Sequence, residues 1–355
     1  MPNTVIIGTG SYLPSQKIGS DYFMNTDFYT ETGELIDKPT DEIISKFVEI
    51  TEIENRRYVE EGQTNSDIGF FAAQRAIEDA KIDQETLDYI IYASNFGDVN
   101  SAGRTSFMPS MSARLKNRLQ IKNRNCINYD MIFGCPGWVE AMILADQLIK
   151  AGSAKTILVV GSETLSKVTD PNDRNRMIFA DGAGAVVVQA TDQNDVGILA
   201  HLTICDNGPE LFYLDSGPGL KPDTDREQLY ILMQGRKIYE YALKNVPVAI
   251  KEAIDKANLD ISDIHKILIH QANAKMDHAM IDRLMKLYGK KEYHHSIAPM
   301  TIQQFGNSSV ATIPTMLDMI RKGDMEGHEF QDDGNVVFAS VGAGMNINAI
   351  VYRFH

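Results

Sequence analysis

Cysteine is scarce in this chain: Cys126, Cys135 and Cys205 are the only three, and none lies close to another. That argues against a disulfide framework or a cysteine-rich zinc site, and no metal is expected. No apolar run approaches the ~20 residues that a bilayer-spanning helix needs. Met1-Pro2-Asn3-Thr4 runs straight into an apolar stretch, without the basic, apolar and cleavage regions of a secretory signal. The expectation is a cytoplasmic protein with no membrane partner. Basic residues are outnumbered, 34 Lys and Arg against 48 Asp and Glu, leaving a net charge of −14. Nucleic acid is therefore not expected as a general partner, because phosphate contacts need clustered Lys and Arg. What is present is a 355-residue chain, 43% apolar and free of low-complexity stretches. Such a chain can bury a sizeable core in two large layers or two domains.

The chain repeats itself at about half its length. Phe133-Gly134-Cys135 returns as Phe305-Gly306-Asn307, and each precedes an apolar run with helical spacing that ends in a basic residue and a glycine. Ala76–Asp83 echoes Ala253–Asp260, and each continues into a β-rich run, Leu87 to Ala93 and Ile264 to His270. Thr156–Gly161 matches Asn335–Ser340, and both halves then carry Gly-Ala-Gly, at 182–184 and 342–344. The echoes keep one order, so two related halves are expected, 1–190 and 191–355, and not a solenoid.

Strands alternating with amphipathic helices make this an α/β protein. Val5–Gly8 reads as a buried strand with a turn at 10–15, and Asp67–Lys81 has apolar residues at helical spacing. Strands without alternation, such as Ile-Leu-Val-Val, fit central positions covered on both faces by helices. Residues 19–65 read as an irregular surface excursion, and 206–227 as a long loop.

Three residues stand out chemically. Cys135 lies between Gly134 and Pro136, and a proline at the first helical position makes it the N-cap. There the helix dipole favours the thiolate. A free cysteine is ordinarily buried and inert, and that reading stays with Cys126 and Cys205. His270 closes an apolar run at a strand's carboxyl end, where α/β proteins place their sites. His201, His265, His278, His294, His295, His328 and His355 lack such a setting. Asn307 could serve only as a helix cap, but its pairing with Cys135 across the repeat favours a functional role.

Gly-Thr-Gly-Ser-Tyr-Leu-Pro at 8–14, Asp170-Pro171-x-Asp173-Arg174, Asp181-Gly182-Ala183-Gly184-Ala185, Gly235-Arg236, His270-Gln271-Ala272-Asn273, Gly306-Asn307-x-Ser309 and Gly342-Ala343-Gly344 span nearly the whole chain in order. Together they resemble the β-ketoacyl-acyl carrier protein synthase III family. The resemblance implies the thiolase fold, five layers α-β-α-β-α from two duplicated halves, as a homodimer. It implies a Cys135 nucleophile that takes an acyl group from a thioester, with the Cys135 and Ala343 N–H groups as oxyanion hole. His270 and Asn307 would then bind malonyl-acyl carrier protein for decarboxylative condensation. Arg174 and Asn273 would contact substrate, and Arg236, Lys237 and Lys275 would dock the acyl carrier protein. The substrates would be acyl-coenzyme A or acyl-carrier protein with malonyl-carrier protein, and no cofactor is implied.

Some positions depart from the family pattern. Ile43 stands where a tryptophan usually stacks on the adenine of coenzyme A. Glu49-Ile50-Thr51-Glu52-Ile53 replaces the usual Arg-Thr-Gly-Ile, and Ile132-Phe133-Gly134 precede the nucleophile in place of small alanines. A condensing acyltransferase of fatty-acid or specialised acyl metabolism is therefore expected. A relative that acylates a different nucleophile or condenses without decarboxylation, and a silent acyl-binding partner subunit, stand as alternatives.

Overall fold

The computed structural model describes residues 1–100 and 102–354; His355, discounted above, lies outside them. The first half runs β1 (Asn3–Tyr12), α1 (Thr40–Thr51), α2 (Asn65–Ala80), β2 (Tyr89–Ala93), β3 (Ile127–Met131), α3 (Gly137–Lys150), β4 (Thr156–Thr164) and β5 (Asp181–Thr191). The second runs β6 (Gly197–Cys205), a hairpin of β7 (Leu214–Pro218) and β8 (Leu229–Met233), α4 (Gly235–Lys256), β9 (Ile264–Ile269), α5 (Ala274–Leu287), α6 (Thr312–Lys322), β10 (Asn335–Gly342) and β11 (Asn346–Arg353).

One sheet has the order β1-β5-β4-β2-β3 and the other β6-β11-β10-β9. The orders match position for position, and the first sheet carries one extra strand, β3. In each, two strands pair in parallel through a helical crossover (β2 with β4, β9 with β10) and the remaining neighbours of the matched set are antiparallel. Helices α3 and α6 lie between the sheets. Trp138, Met142, Met316 and Leu317 there pack against Val159 and Val186 on one side and Val336 and Phe338 on the other. α2 covers the outer face of the first sheet, and α4 with α5 covers the outer face of the second. Five layers result, α-β-α-β-α. β4 is buried along its whole length, and its apolar run 157–160 lacks the alternation of a half-exposed strand. Among the described residues no helix is long and apolar enough to cross a membrane.

Three local expectations need correction. β1 continues through Tyr12 where a turn was expected from residue 10. Gly8 and Gly10 are there because α2 lies directly on the strand: a Cβ at Gly10 would stand 2.3 Å from the Ala72 carbonyl oxygen. Residues 19–65 are more than a surface excursion, because α1 buries Ile43, Ile44 and Phe47 in a cluster with Phe23, Phe28 and Phe179. The 206–227 loop is also partly ordered, since its middle forms β7 against β8.

Candidate active site

Chain turns at the carboxyl ends of the strands bring the candidate residues together. After β3 the chain reaches Gly134, whose φ of +67° suits glycine. A Cβ there would also lie 2.6 Å from the Ala343 nitrogen. The Gly137 N–H donates to the Gly134 carbonyl at 3.0 Å, closing a tight turn around Cys135 and Pro136. Pro136, not Cys135, is the N-cap of α3. The thiol therefore sits one residue ahead of the position expected from the proline, still in front of the helix N-terminus. The glycine loop after β10 packs on the same turn: a Cβ on Gly342 would be 2.6 Å from the Cys135 nitrogen. Two backbone segments from the two halves thus meet at the sulfur, with Ala343 beside it.

The half-buried Cys135 thiol is not the depressed thiol that a helix terminus alone would produce. Burial pushes it up to about 11, the Ser309 hydroxyl hydrogen-bonds to it and pulls the other way, and Glu163 adds to the rise. Desolvation outweighs the hydrogen bond. Cys126 is buried as expected, but Cys205 is exposed, because it lies at the end of β6.

His270 follows β9 directly, and its N–H donates to Ala339 of β10 at 2.8 Å. Its ring is buried, which pushes its pKa down to about 4, with the Ser309 backbone acting in the opposite sense. The imidazole is neutral at physiological pH, and Nδ1 has no partner. Gln271 is a brace: its Oε1 accepts from the Thr301 and Ile302 N–H groups and its Nε2 donates to Pro299. Asn307 is stitched by its backbone to the 178–180 segment, through bonds of 2.9 Å to Ile178 and 2.8 Å from Ala180. Its Oδ1 accepts from the Ser309 N–H at 2.8 Å. That bond assigns the acceptor end of the carboxamide and leaves Nδ2 to donate elsewhere.

Ser309 therefore bears on all three candidates: its N–H donates to the Asn307 carboxamide, it shares a cavity wall with Cys135 and lowers the thiol's pKa, and its backbone raises that of His270. Sequence reasoning quoted Ser309 in a motif and gave it no role. It also passed over Asn95, just past the end of β2, and Glu163, a carboxyl on a fully buried strand. The available signals were a polar break in the first half corresponding to the one at His270, and a charge closing an apolar run.

Two cavities adjoin the site. One of about 380 Å³ has Cys135, Ser309 and Ala343 in its wall and is otherwise lined by Phe96, Phe133, Leu165, Phe179 and Ile231 among others. The larger, about 530 Å³, does not reach Cys135. Arg174, Asn273, Arg236, Met233 and Ile43 line it. Ile231 and Met233 share one face of β8, and each lines one of the cavities, so the two lie next to each other along that face. His270 and Asn307 are each only 3% exposed and line neither. Asn273 also caps α5, accepting from the Met276 N–H at 3.1 Å. Arg236 is highly exposed and pairs with Glu240, and Lys275 is exposed in the first turn of α5, near Glu49 of α1. Lys237 points away, with its Nζ 5.2 Å from the Tyr213 ring in a separate cleft with Asp206 and Glu210.

Comparison with known proteins agrees with this arrangement. Residues 129–207 match the model of 3-oxoacyl-[acyl-carrier-protein] synthase III, and residues 254–354 match that of its C-terminal part. A β-ketoacyl-[acyl-carrier-protein] synthase III of Staphylococcus haemolyticus is 32% identical over 99% of both chains. One from Vibrio vulnificus is 34% identical over 98% of this chain and 99% of its own. The crystal structure of the Pseudomonas aeruginosa synthase III superposes with a TM-score of 0.80 at 26% identity, covering 99% of this chain and 98% of that one. The chain belongs to the β-ketoacyl-acyl carrier protein synthase III family, and is a thiolase-fold condensing enzyme and acyltransferase.

Proposed function

We propose that Cys135 carries an acyl group as a thioester and that the chain condenses it with malonyl-acyl carrier protein, releasing CO2. The convergence of Cys135, His270 and Asn307 on Ser309 carries this reading. The thiol attacks the acyl thioester, and the Cys135 and Ala343 N–H groups hold the developing oxyanion. The donor's thiolate leaves and takes up the proton. The neutral His270 ring and Asn307 Nδ2 then donate to the malonyl thioester carbonyl. Loss of CO2 leaves an enolate that these donors stabilise, and its carbon attacks the acyl-enzyme carbonyl. The Cys135–acyl bond breaks as the new C–C bond forms, so no proton is abstracted from carbon.

The acyl chain lies in the smaller cavity, and the carrier arm passes through the larger one beside Arg174 and Asn273. Ile43 lines that cavity where the adenine-stacking tryptophan is absent, which favours a carrier protein over coenzyme A as acyl donor. The halves 1–190 and 191–355 each supply one side of the site. A homodimer fits the free edge strand β3, where Ile127 and Tyr129 are exposed beside Ile132. Intact-mass measurement after incubation with matched acyl-coenzyme A and acyl-carrier donors tests the acylation step. One acyl mass is expected on Cys135, formed faster from the carrier-bound donor. No adduct from any donor, with no β-ketoacyl product, would overturn the proposal.

An acidic carrier must dock on an acidic enzyme, so local positive charge has to guide it. We place that docking at Arg236, which lines the larger cavity, and at Lys275, exposed next to it in the first turn of α5, and not at Lys237, which is turned toward Tyr213. Arg236→Glu with Lys275→Glu should lower kcat/KM for malonyl-carrier protein about tenfold at low salt. Turnover of a small malonyl thioester should change little. Rising ionic strength should shrink the difference, because exposed charges are screened. Equal losses on both substrates, or rates independent of salt, would dismiss the electrostatic docking.

A further inference from the structure

The catalytic trio accounts for neither the fully buried Glu163 nor the polar contacts that run from it to the sulfur. Glu163 ends β4 with no exposed surface, and no ion pair involves it or Asp181 among the described residues. Its Oε1 accepts twice from Asn95, from the backbone N–H at 2.6 Å and from Nδ2 at 2.8 Å. Its Oε2 lies 3.5 Å from the Ser94 hydroxyl, which in turn accepts from Asn65 Nδ2 at 2.8 Å. A carboxamide nitrogen carries two hydrogens. One Asn95 Nδ2 hydrogen goes to Glu163, and Ser309 Oγ stands 3.4 Å away to accept the other. Asn95, Ser309 and Cys135 share one cavity wall, and with its oxygen accepting from Asn95 the Ser309 hydroxyl has its own hydrogen left to give to the thiol, whose pKa it lowers. The serine is also held at a φ of +53°, in the left-handed region, by the Asn307 bond to its N–H. A non-glycine residue kept there costs about 1–3 kcal/mol, so the surroundings define its geometry.

We propose that Ser309 is a positioning residue for the nucleophile, its hydroxyl aimed at Cys135 by Asn95, which is itself locked on the buried Glu163 carboxyl. The inference rests on Cys135 being the nucleophile. Charge along the chain has a definite sign. Burial raises the Glu163 carboxyl to about 8, with Asp181 adding to the rise. Lys167 acts on Asp181, and His270 stands neutral against the Ser309 backbone. At neutral pH Glu163 is largely an uncharged acid that anchors Asn95 without opposing the thiolate. As pH rises through about 8 it ionises, and its negative charge works against Cys135 ionisation.

The test is the pH dependence of iodoacetamide alkylation at Cys135, read by peptide mass, in wild type, Ser309→Ala and Glu163→Gln. Ser309→Ala removes a hydrogen bond to a charged sulfur. Its labelling should fall about tenfold at a given alkaline pH and its curve should move to higher pH. Glu163→Gln keeps an acceptor for Asn95 and removes the charge, so its curve should move to lower pH above about pH 8. Opposite shifts are expected with unchanged melting temperatures, and a general loosening of the site would move both curves the same way. Shifts in one direction, or none, would overturn the proposal. Should Glu163→Gln fail to fold, the wild-type profile decides: Cys135 should show a second inflection near pH 8 that Cys205 in the same sample lacks, and a simple one-thiol curve overturns it. Failure of the nucleophile assignment looks different, because full alkylation of Cys135 would then leave acyl transfer intact at any pH.

Discussion

Cys135→Ala should abolish acyl transfer, lowering β-ketoacyl formation on the order of 10⁴-fold or more, because a covalent route has no substitute once its nucleophile is gone. The proposed oxyanion donors, the N–H groups of Cys135 and Ala343, belong to the backbone and survive the change. Intact mass should show one acyl group on wild type and none on Cys135→Ala under the same donor. Cys205 is exposed and a natural source of spurious labelling, so Cys205→Ala is the control and should acylate as wild type does. The thiol is small and half-buried, so the urea midpoint should correspond to a stability loss of no more than about 1–2 kcal/mol. An acyl adduct on Cys135→Ala, with condensation continuing, would remove the covalent mechanism. Because burial holds the resting thiol near 11, acylation of wild type should also accelerate as pH rises from 7 to 9. The gain should be less than tenfold per pH unit where Glu163 begins to ionise.

The fold was legible where the same residues serve the same purpose twice. Leu87 to Ala93 and Ile264 to His270 are recognisably one pattern because β2 and β9 occupy the same place in their sheets. Gly10 was misread because a glycine in isolation signals a turn; only the contact with Ala72 and Ala76 shows that it admits a helix. α1 was missed in an acidic, polar stretch, although Ile43, Ile44 and Phe47 already share one helical face. In the site, His270 stood out because it ends an apolar run, and Cys135 and Asn307 because each follows Phe-Gly at corresponding points of the repeat. Ser309, Asn95 and Glu163 are ordinary polar residues far apart in sequence, and only tertiary packing joins them. Lys237 shows the converse: its neighbour Arg236 reaches the cavity rim, while one further helical position turns it toward Tyr213.

His270→Ala and Asn307→Ala should separate the two half-reactions. Acylation needs the thiol and the backbone oxyanion hole, so each variant should still gain one acyl mass on Cys135. Decarboxylation of the malonyl thioester should fall about 10²–10³-fold in each, the usual cost of removing one donor from a developing oxyanion in a water-poor site. The double variant should lose less than the product of the two losses, because both donors act on one oxygen. Asn307 carries a further structural cost, since its Oδ1 holds the Ser309 N–H; Asn307→Asp keeps that acceptor, removes the donor, and should decarboxylate as poorly as alanine. The charge state of His270 gives a second readout. Its pKa lies near 4, so the ring is neutral across the working range and acts as a hydrogen-bond donor. The wild-type decarboxylation rate should therefore show no inflection near pH 6.5 and should change only below about pH 5, as the ring gains its proton. Release of labelled CO2 from malonyl thioester, followed from pH 4.5 to 8.5, measures both effects. Wild-type rates in either alanine variant, or an imidazole titration near neutrality, would mean that the enolate is stabilised elsewhere.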